Sequence, residues 1–299
     1  MRTSAAVAGV EAVPSEWSDY FELTKPRITI MVLVTTVFGF VLGNQSEFSA
    51  SLLVWTVVGT GLLSAGGSAL NHFWERRSDA LMERTASRPL PAGRMDWRRA
   101  LAFGVTLALA GVGVLALTVN LLTAALGLAA LVSYVLVYTP LKKVTSLATL
   151  IGAVPGALPP VMGWTAAQNS LSAGAWVLFG ILFFWQLPHF LAIAWLCRGD
   201  YARAGFPMLP VVEPDGRSTA RQAVLYGAAL LPVSLAPSLI DLAGTSYFIG
   251  AALLGALFLG SCVAFWRSTD NRSARRVLLT SVLYLPAVLA VMAFDRFVH

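Results

Sequence analysis

Charge is scarce in this sequence. Only 12% of the 299 residues are Asp, Glu, Lys or Arg, whereas 57% are hydrophobic. Soluble domains carry about 25% charged residues, and about half that share cannot cover the surface of a water-soluble globule. The composition therefore excludes a soluble enzyme and a disordered chain. It also excludes a nucleic-acid partner despite the net charge of +6, because the basic excess of a membrane protein encodes its orientation.

Cysteine is scarce as well. Cys197 and Cys262 are the two cysteines, which are too few for a disulfide framework and have no metal-binding spacing. A free cysteine inside a protein behaves as a small hydrophobic side chain. We therefore expect two free thiols in or near helices.

Long uncharged runs take the place of the missing charges. A membrane-spanning helix needs about 20 mostly apolar residues. The runs at 100–141 and 144–197 are long enough for two such helices each, with turns near Asn120 and at 166–172. The sequence predicts an all-α membrane protein with nine transmembrane helices, termed spans 1 to 9. Their predicted bounds are 27–43, 51–70, 100–118, 121–139, 146–165, 173–196, 222–240, 247–266 and 277–296.

Lys and Arg are confined to alternate loops. Of the 21 basic residues, 20 lie before span 1 or after spans 2, 4, 6 and 8, and the exception is Arg296. Because basic residues mark the cytoplasmic side, we predict a cytoplasmic N-terminus and a C-terminus outside. We also expect a polar tail at 1–20 without a signal-peptide pattern, followed by a single transmembrane domain at 21–299.

The densest polar segment begins at the end of span 2. Asn71, Glu75 and Asp79 recur at four-residue intervals, so that on a helix their side chains lie on nearly one face. Carboxylate and amide oxygens suit Mg²⁺, and Arg84 and Arg88 can bind phosphate in bidentate fashion. The spacing indicates a magnesium–diphosphate site, although a solvated helix end with internal ion pairs has the same pattern.

Two further polar clusters are predicted on the same membrane face. Asp200 follows span 6, and Tyr138, Lys142 and Lys143 lie at the end of span 4. Each cluster alone is typical of an ordinary charged loop. A diphosphate needs several charged groups at once, so their shared location favours one common site.

Span 6 contains polar groups in its apolar run. Gln186, Pro188 and His189 lie within it, and polar groups inside a span are costly and usually face an interior cavity. The backbone carbonyls freed by a proline also need a cavity or a neighbour. We expect this part of span 6 to line a cavity, with His189 either contacting a ligand or bonding to a neighbouring helix.

In combination, these motifs resemble the UbiA superfamily of intramembrane prenyltransferases, and most of all its haem-modifying branch. The similarity runs from about residue 20 to residue 221. The motifs that carry it are Asn71-x3-Glu75-x3-Asp79, Arg84-Thr85-x2-Arg88-Pro89-Leu90-Pro91, Thr24-Lys25-Pro26-Arg27, Tyr138-Thr139-Pro140-Leu141-Lys142-Lys143, Trp185-Gln186-Leu187-Pro188-His189-Phe190 and Asp200-Tyr201-x2-Ala204-Gly205-x-Pro207-Met208-Leu209-Pro210.

The resemblance implies a nine-helix bundle around a central cavity that opens sideways to lipid. It also implies a bacterial inner-membrane enzyme with a cytoplasmic active face, farnesyl diphosphate as donor, haem b as acceptor and Mg²⁺ as cofactor. The protein partner that the resemblance implies is a haem A synthase or a terminal oxidase assembly. The residues expected to hold the metal and carry catalysis are Asn71, Glu75, Asp79 and Asp200. We assign diphosphate binding to Arg84, Arg88, Lys142, Lys143 and Tyr138, and haem binding to His189, Gln186, Lys25 and Arg27.

Two departures from the wider superfamily bear on the acceptor. Glu75 stands where many members have Asp, and Asp200 alone remains of the paired acids of the second motif, with Gln186 and His189 upstream. Both departures are typical of the haem branch, so they favour haem over an aromatic quinone precursor, which is the alternative acceptor. A transporter is the alternative from another class. Its sign would be an inverted repeat. The weak internal similarity here is between the long charged loops after spans 2 and 6, which both end in a proline pair and lie on the same side of the membrane.

Overall fold

The computed structural model describes residues 16–44 and 47–298, and their side chains up to residue 295. These residues form thirteen α-helices and one π-helical turn, and the described part of the chain contains no β-strand. The helices are α1 (Trp17–Leu23), α2 (Pro26–Gly43), α3 (Ala50–Asp79), α4 (Trp97–Thr118), α5 (Leu121–Val132), α6 (Thr139–Leu141), α7 (Ala148–Gln168), α8 (Ala173–Leu196), α9 (Arg198–Arg203), α10 (Leu209–Val212), α11 (Arg217–Leu239), α12 (Thr245–Ser268) and α13 (Asn271–Val298). The π-helical turn, Ser133–Tyr138, joins α5 to α6.

Nine stretches of the described residues are long and apolar enough to cross a membrane. They are α2, α3, α4, the stretch Leu121–Leu141, α7, α8, α11, α12 and α13. The predicted all-α architecture with nine transmembrane helices is confirmed. The largest departures from the predicted bounds are in three helices: α3 continues past 70 to Asp79, α11 begins at Arg217 and α13 begins at Asn271. A helix satisfies its own backbone hydrogen bonds, so it can continue beyond the apolar run into the polar interface.

Close backbone contact between α2 and α7 shapes the first half of the bundle. A Cβ atom at Gly39 would lie 1.9 Å from the carbonyl oxygen of Pro160, and one at Gly163 would lie 1.9 Å from that of Thr36. Only glycine allows such an approach, which is a common device in membrane helix packing. The contact fixes the proline-containing helix α7 against α2, beside the cavity described below.

The second half of the bundle contains the largest apolar core, where α7, α8, α11, α12 and α13 pack together. Tyr247 and Phe258 are fully buried there, and the Tyr247 hydroxyl donates a 2.7 Å hydrogen bond to the Ser234 carbonyl. Outward-facing side chains such as Leu117 and Leu283 are largely exposed. This apolar exterior is expected of a bundle whose solvent is lipid.

A short helix, α1, precedes the first span. Asp19 is buried and accepts a 2.9 Å hydrogen bond from Arg94 Nε, while Arg94 Nη2 lies 2.9 Å from Glu22 Oε2. Arg94 belongs to the loop 80–96, so α1 holds that loop against the bundle. Residues 1–15 of the predicted polar tail lie outside the described residues. Both cysteines are free, as expected.

Candidate active site

A cavity of about 410 Å³ lies among α2, α3, the stretch Leu121–Leu141, α7 and α8. Its lining changes from charged to uncharged along α3, with Glu75 and Asn71 at one end and Leu63 and Thr60 at the other. The 15 residue steps from Thr60 to Glu75 correspond to about 22 Å of helix. The cavity thus leads from the membrane boundary towards the middle of the apolar layer.

Asn71 and Glu75 form the polar end of the cavity, and each is only 3% exposed. Lys25 Nζ donates a 2.6 Å hydrogen bond to Asn71 Oδ1, and Asn71 Nδ2 donates to Thr139 Oγ1 at 3.2 Å. Lys142 Nζ lies 3.2 and 3.4 Å from the two carboxylate oxygens of Glu75. Cations from two other segments of the chain therefore neutralise this face of α3.

The two lysines differ in how strongly they hold their protons. Burial, together with the positive charge of Arg88, lowers the pKa of Lys25 from 10.5 to about 8. Burial also disfavours the charge on Lys142, but Tyr138 and the Glu75 carboxylate outweigh it and raise the pKa of Lys142 above its usual value. Lys142 is therefore a permanent cation at neutral pH.

Asp79 ends the same face of α3 and is 1% exposed. Its Oδ2 accepts a 2.7 Å hydrogen bond from Arg88 Nη1. Its Oδ1 is buried and has no hydrogen-bond partner among the described residues. The Thr85 hydroxyl donates to the Asp79 carbonyl at 2.8 Å, which fixes the turn that brings Arg88 back over the helix end. A buried carboxylate oxygen without a partner is costly and is suited to a cationic ligand.

The described partners of Asp200 are two arginines and a backbone N–H group. Within the described ranges, no three His, Cys, Asp or Glu side chains converge as metal ligands. Asp200 lies on α9, where its Oδ2 is 3.7 Å from Arg84 Nε. Its Oδ1 accepts from the Glu83 backbone N–H at 3.3 Å and contacts Arg203. Asp200 lies on α9, the short helix that follows α8, and its contact with Arg84 joins α9 to the loop 80–96.

Four of the five residues predicted to bind diphosphate line the cavity, namely Arg84, Arg88, Tyr138 and Lys142. Lys143 is exposed and lies outside the lining. Adjacent residues of a helical turn point about 100° apart, so only one of the two lysines can reach Glu75. The motif alone did not distinguish them.

Only two of the four predicted haem-binding residues line the cavity. Lys25 and Gln186 line the cavity, and Gln186 Nε2 donates a 2.8 Å hydrogen bond to the Ala153 carbonyl of α7. His189 lies outside the lining, where its Nδ1 is 2.7 Å from Ser281 Oγ of α13. Arg27 is exposed and is likewise not among the lining residues. Of the two roles expected for His189, the described contacts match the bond to a neighbouring helix.

Two lining tyrosines received no role from the sequence: Tyr134 was not singled out, and Tyr201 was quoted in a motif without a site assignment. Tyr134 stacks on Tyr138 with ring centroids 5.8 Å apart, and the guanidinium of Arg84 lies 5.2 Å from the ring centroid of Tyr201. Tyr134 is four residues before Tyr138, which places both on one helix face, so the spacing was the available signal. Tyr134 and Tyr138 belong to the π-helical turn, and such turns are often found at functional sites.

The family model described as the UbiA prenyltransferase family matches residues 32–285. A protoheme IX farnesyltransferase from Solibacter usitatus is 52% identical over 287 residues, covering 93% of this chain and 98% of its own. A protoheme IX farnesyltransferase from Salinibacter ruber is 48% identical, with 93% and 99% covered.

Solved structures have the same fold. A digeranylgeranylglyceryl phosphate synthase aligns with a TM-score of 0.77 at 17% identity, covering 93% of this chain and 97% of its own. A UbiA homolog from Archaeoglobus fulgidus bound to DMAPP and Mg²⁺ aligns with a TM-score of 0.65 at 16% identity, with 92% and 99% covered. The family match spans most of the chain, and the relatives agree with it over nearly their whole length. This integral membrane protein belongs to the UbiA prenyltransferase family.

Proposed function

We propose that the protein is a protoheme IX farnesyltransferase. It joins the farnesyl group of farnesyl diphosphate to a vinyl group of haem b with addition of water, and it yields haem O and diphosphate. One observation carries the proposal: a membrane cavity has paired oxygen and cation groups at one end and apolar walls at the other. Such a cavity suits a diphosphate with a long apolar tail, and the names of the relatives supply the acceptor.

The oxygen donors of α3 at the polar end of the cavity and just beyond it fit Mg²⁺. Asn71, Glu75 and Asp79 offer oxygen atoms on one face of α3, and Asp79 Oδ1 is buried without a partner among the described residues. Magnesium is typically held by one or two carboxylates together with substrate phosphates, so a diphosphate would complete the set. When bound, the ion would neutralise the diphosphate and make it a better leaving group. Asp200 is assigned instead to holding Arg84.

The cations beside these acids would bind the diphosphate. Arg88 and Lys142 are held at the polar end by Asp79 and Glu75, and Arg84 extends from the loop above. A bound ion would neutralise the carboxylates of Asp79 and Glu75, so that Arg88 and Lys142 would be free to contact phosphate oxygens. As the bond between the farnesyl carbon and the diphosphate oxygen breaks, they stabilise the charge that develops on that oxygen.

The apolar part of the cavity would protect the farnesyl cation. Leu63, Gly127 and Met162 line it, and they exclude water that would otherwise destroy a reactive intermediate. The electron pair of the haem vinyl group then forms the new carbon–carbon bond. A water molecule would then add to the resulting cation next to the porphyrin, and the proton that it loses would pass to the released diphosphate. Lys25 and Gln186 are the lining residues assigned to the haem, and Lys25 suits a propionate.

The active face is assigned to the cytoplasm of a bacterial cell, at the inner membrane. Asp79, Lys142 and Asp200 all follow even-numbered spans, so they lie on one side of any membrane that the bundle crosses. The basic loops lie on that side too, which the positive-inside rule assigns to the cytoplasm. The N-terminus would then be cytoplasmic and the C-terminus outside. Transfer of the product to a haem A synthase or a terminal oxidase assembly would start from this membrane.

The direct test is a product assay with the purified full-length protein. Haem b, farnesyl diphosphate and Mg²⁺ are incubated with and without EDTA, and the extracted haem is analysed by mass spectrometry. We expect a metal-dependent haem that is heavier by one farnesyl group plus water. The variant Glu75→Gln should form none, whereas Lys143→Gln, a matched change at an exposed residue, should form it at the wild-type rate. Unchanged haem, together with prenylation of an aromatic quinone precursor in a parallel assay, would overturn the assignment of the acceptor.

A further inference from the structure

A second opening lies on the outer surface of the bundle, away from the cavity. It is a groove of about 790 Å³ along α12, bordered by α11 and by the start of α13. Leu231 and Leu259 belong to its apolar part, and Arg267, Arg272 and Arg276 belong to its polar part. No residue assigned to prenyl transfer lines it.

The floor of the groove consists of small side chains. Ala256, Gly260 and Ala264 are spaced four residues apart on α12 and therefore share one face of the helix. A Cβ atom at Gly260 would meet no atom within 4 Å, so the space above this glycine is open. From Ala256 to Arg267 the helix rises by about 16 Å, roughly half of the ~30 Å apolar thickness of a bilayer. The groove thus matches an acyl chain within one leaflet.

Three guanidinium groups lie at the polar end of the groove. Arg267 and Arg276 have no hydrogen-bond or ion-pair partner among the described residues, and the Asp270 carboxylate interacts with the backbone N–H and the positive charge of Arg272. Asp270 is the one acid in the lining. Its Oδ1 already accepts from the Ser273 backbone N–H at 2.7 Å and from the Ser273 hydroxyl at 2.9 Å. The polar end of the groove, termed its rim, therefore carries a net positive charge that is available to an anion.

We propose that this groove binds an anionic phospholipid, with the phosphate of the headgroup at Arg267, Arg272 and Arg276 and one acyl chain over Gly260. Basic pockets between transmembrane helices are suited to such headgroups, and arginine forms paired hydrogen bonds with phosphate. A free phosphate ion would use the same arginines but would leave the apolar floor empty. Trp266, which is 54% exposed beside the rim, marks the interfacial depth where tryptophan is enriched.

The site lies on the same membrane face as the polar end of the cavity, because α3 and α12 are the second and eighth spans. It does not depend on the proposed reaction. A lipid seated there would contact α12 and α13 at their interfacial ends and Leu231 of α11 deeper in the apolar layer, without contacting the substrate.

Native mass spectrometry of the full-length protein in detergent tests the proposal. Phosphatidylglycerol, phosphatidylcholine and inorganic phosphate are titrated separately, and Kd is determined for each. We expect phosphatidylglycerol to bind at least about tenfold more tightly than phosphatidylcholine, and phosphate to show no comparable binding. Equal binding of the two lipids, or binding of phosphate as tight as that of phosphatidylglycerol, would overturn the proposal.

Matched variants separate the groove from general surface charge. Arg276→Gln should raise the Kd for phosphatidylglycerol about fivefold, whereas Arg275→Gln, the adjacent exposed arginine outside the lining, should leave it unchanged. An equal rise in Kd in both variants would mean that the lipid is held by general surface charge, and it would refute the site. Gly260→Leu fills the groove and adds a good helix former, so it should keep the fold yet abolish the selective binding. Unchanged binding in Gly260→Leu would refute the acyl position.

Discussion

The pair between Lys142 and Glu75 allows the sharpest test of the site. The side chains are 10% and 5% exposed, and Nζ lies 3.2 Å from Oε1. Lys142→Met removes the cation and leaves a buried carboxylate without its partner. Removal of one member of a buried pair costs roughly 3–5 kcal/mol. At about 2 °C per kcal/mol for a chain of this size, the thermal unfolding midpoint of the metal-free protein in detergent should fall by roughly 6–10 °C.

Two companion variants make this prediction specific. Lys143→Met removes a neighbouring exposed lysine and should shift the free energy of unfolding by no more than about 0.5 kcal/mol. The double variant Glu75→Gln/Lys142→Met removes both charges, and its stability should return towards the wild-type value, because replacing a buried pair as a whole is often nearly neutral. The double variant should nevertheless remain inactive, since the metal would lack Glu75. Equal midpoints for Lys142→Met and Lys143→Met, or no recovery in the double variant, would refute the pairing.

Three further predictions concern other parts of the site. Asp79→Asn should lower kcat/KM for farnesyl diphosphate more than about 100-fold while the protein still inserts into membranes; a rate near that of the wild type would remove Asp79 from metal binding. Arg88→Lys should lower kcat/KM for farnesyl diphosphate about tenfold, because a single ammonium cannot replace the guanidinium fork. Initial rates measured against the concentration of farnesyl diphosphate test this, and an unchanged KM would argue against a phosphate contact. Asp19→Asn should loosen the hold on Arg94 and the loop 80–96, which should raise KM with little change in kcat. Circular dichroism would verify the helix content, and a fall in kcat alone would contradict the positioning role.

Much of the fold follows directly from the sequence. The nine spans follow from the separation of charged residues, because the apolar layer tolerates so few charges that each uncharged run marks one helix or, in the two longest runs, two. The four-residue spacing of Asn71, Glu75 and Asp79 places them on one face, since a helix repeats every 3.6 residues. The extension of α3 to Asp79 was not predicted, because hydropathy indicates where the membrane ends rather than where the helix ends.

The pairing of side chains across helices could not be read from the sequence. Lys142 and Lys143 are adjacent and chemically alike, and only the direction of the turn after Tyr138 decides which one meets Glu75. Asp200 was grouped with the metal ligands by its motif, but the position of α9 brings it to Arg84.

Local periodicity and solvent preference act within one segment, so the sequence by itself determined the helices, their apolar faces and the polar face of α3. The meeting of groups from distant segments depends on how the helices pack. Lys25 reaches Asn71 across 46 residues, and His189 faces Ser281 across 92. Those contacts depend on the crossing of whole helices, such as the glycine contact between α2 and α7, and no local pattern encodes that geometry. Only the tertiary structure therefore decided which cations neutralise the acids, which predicted residues line the cavity, and where an unassigned basic groove lies.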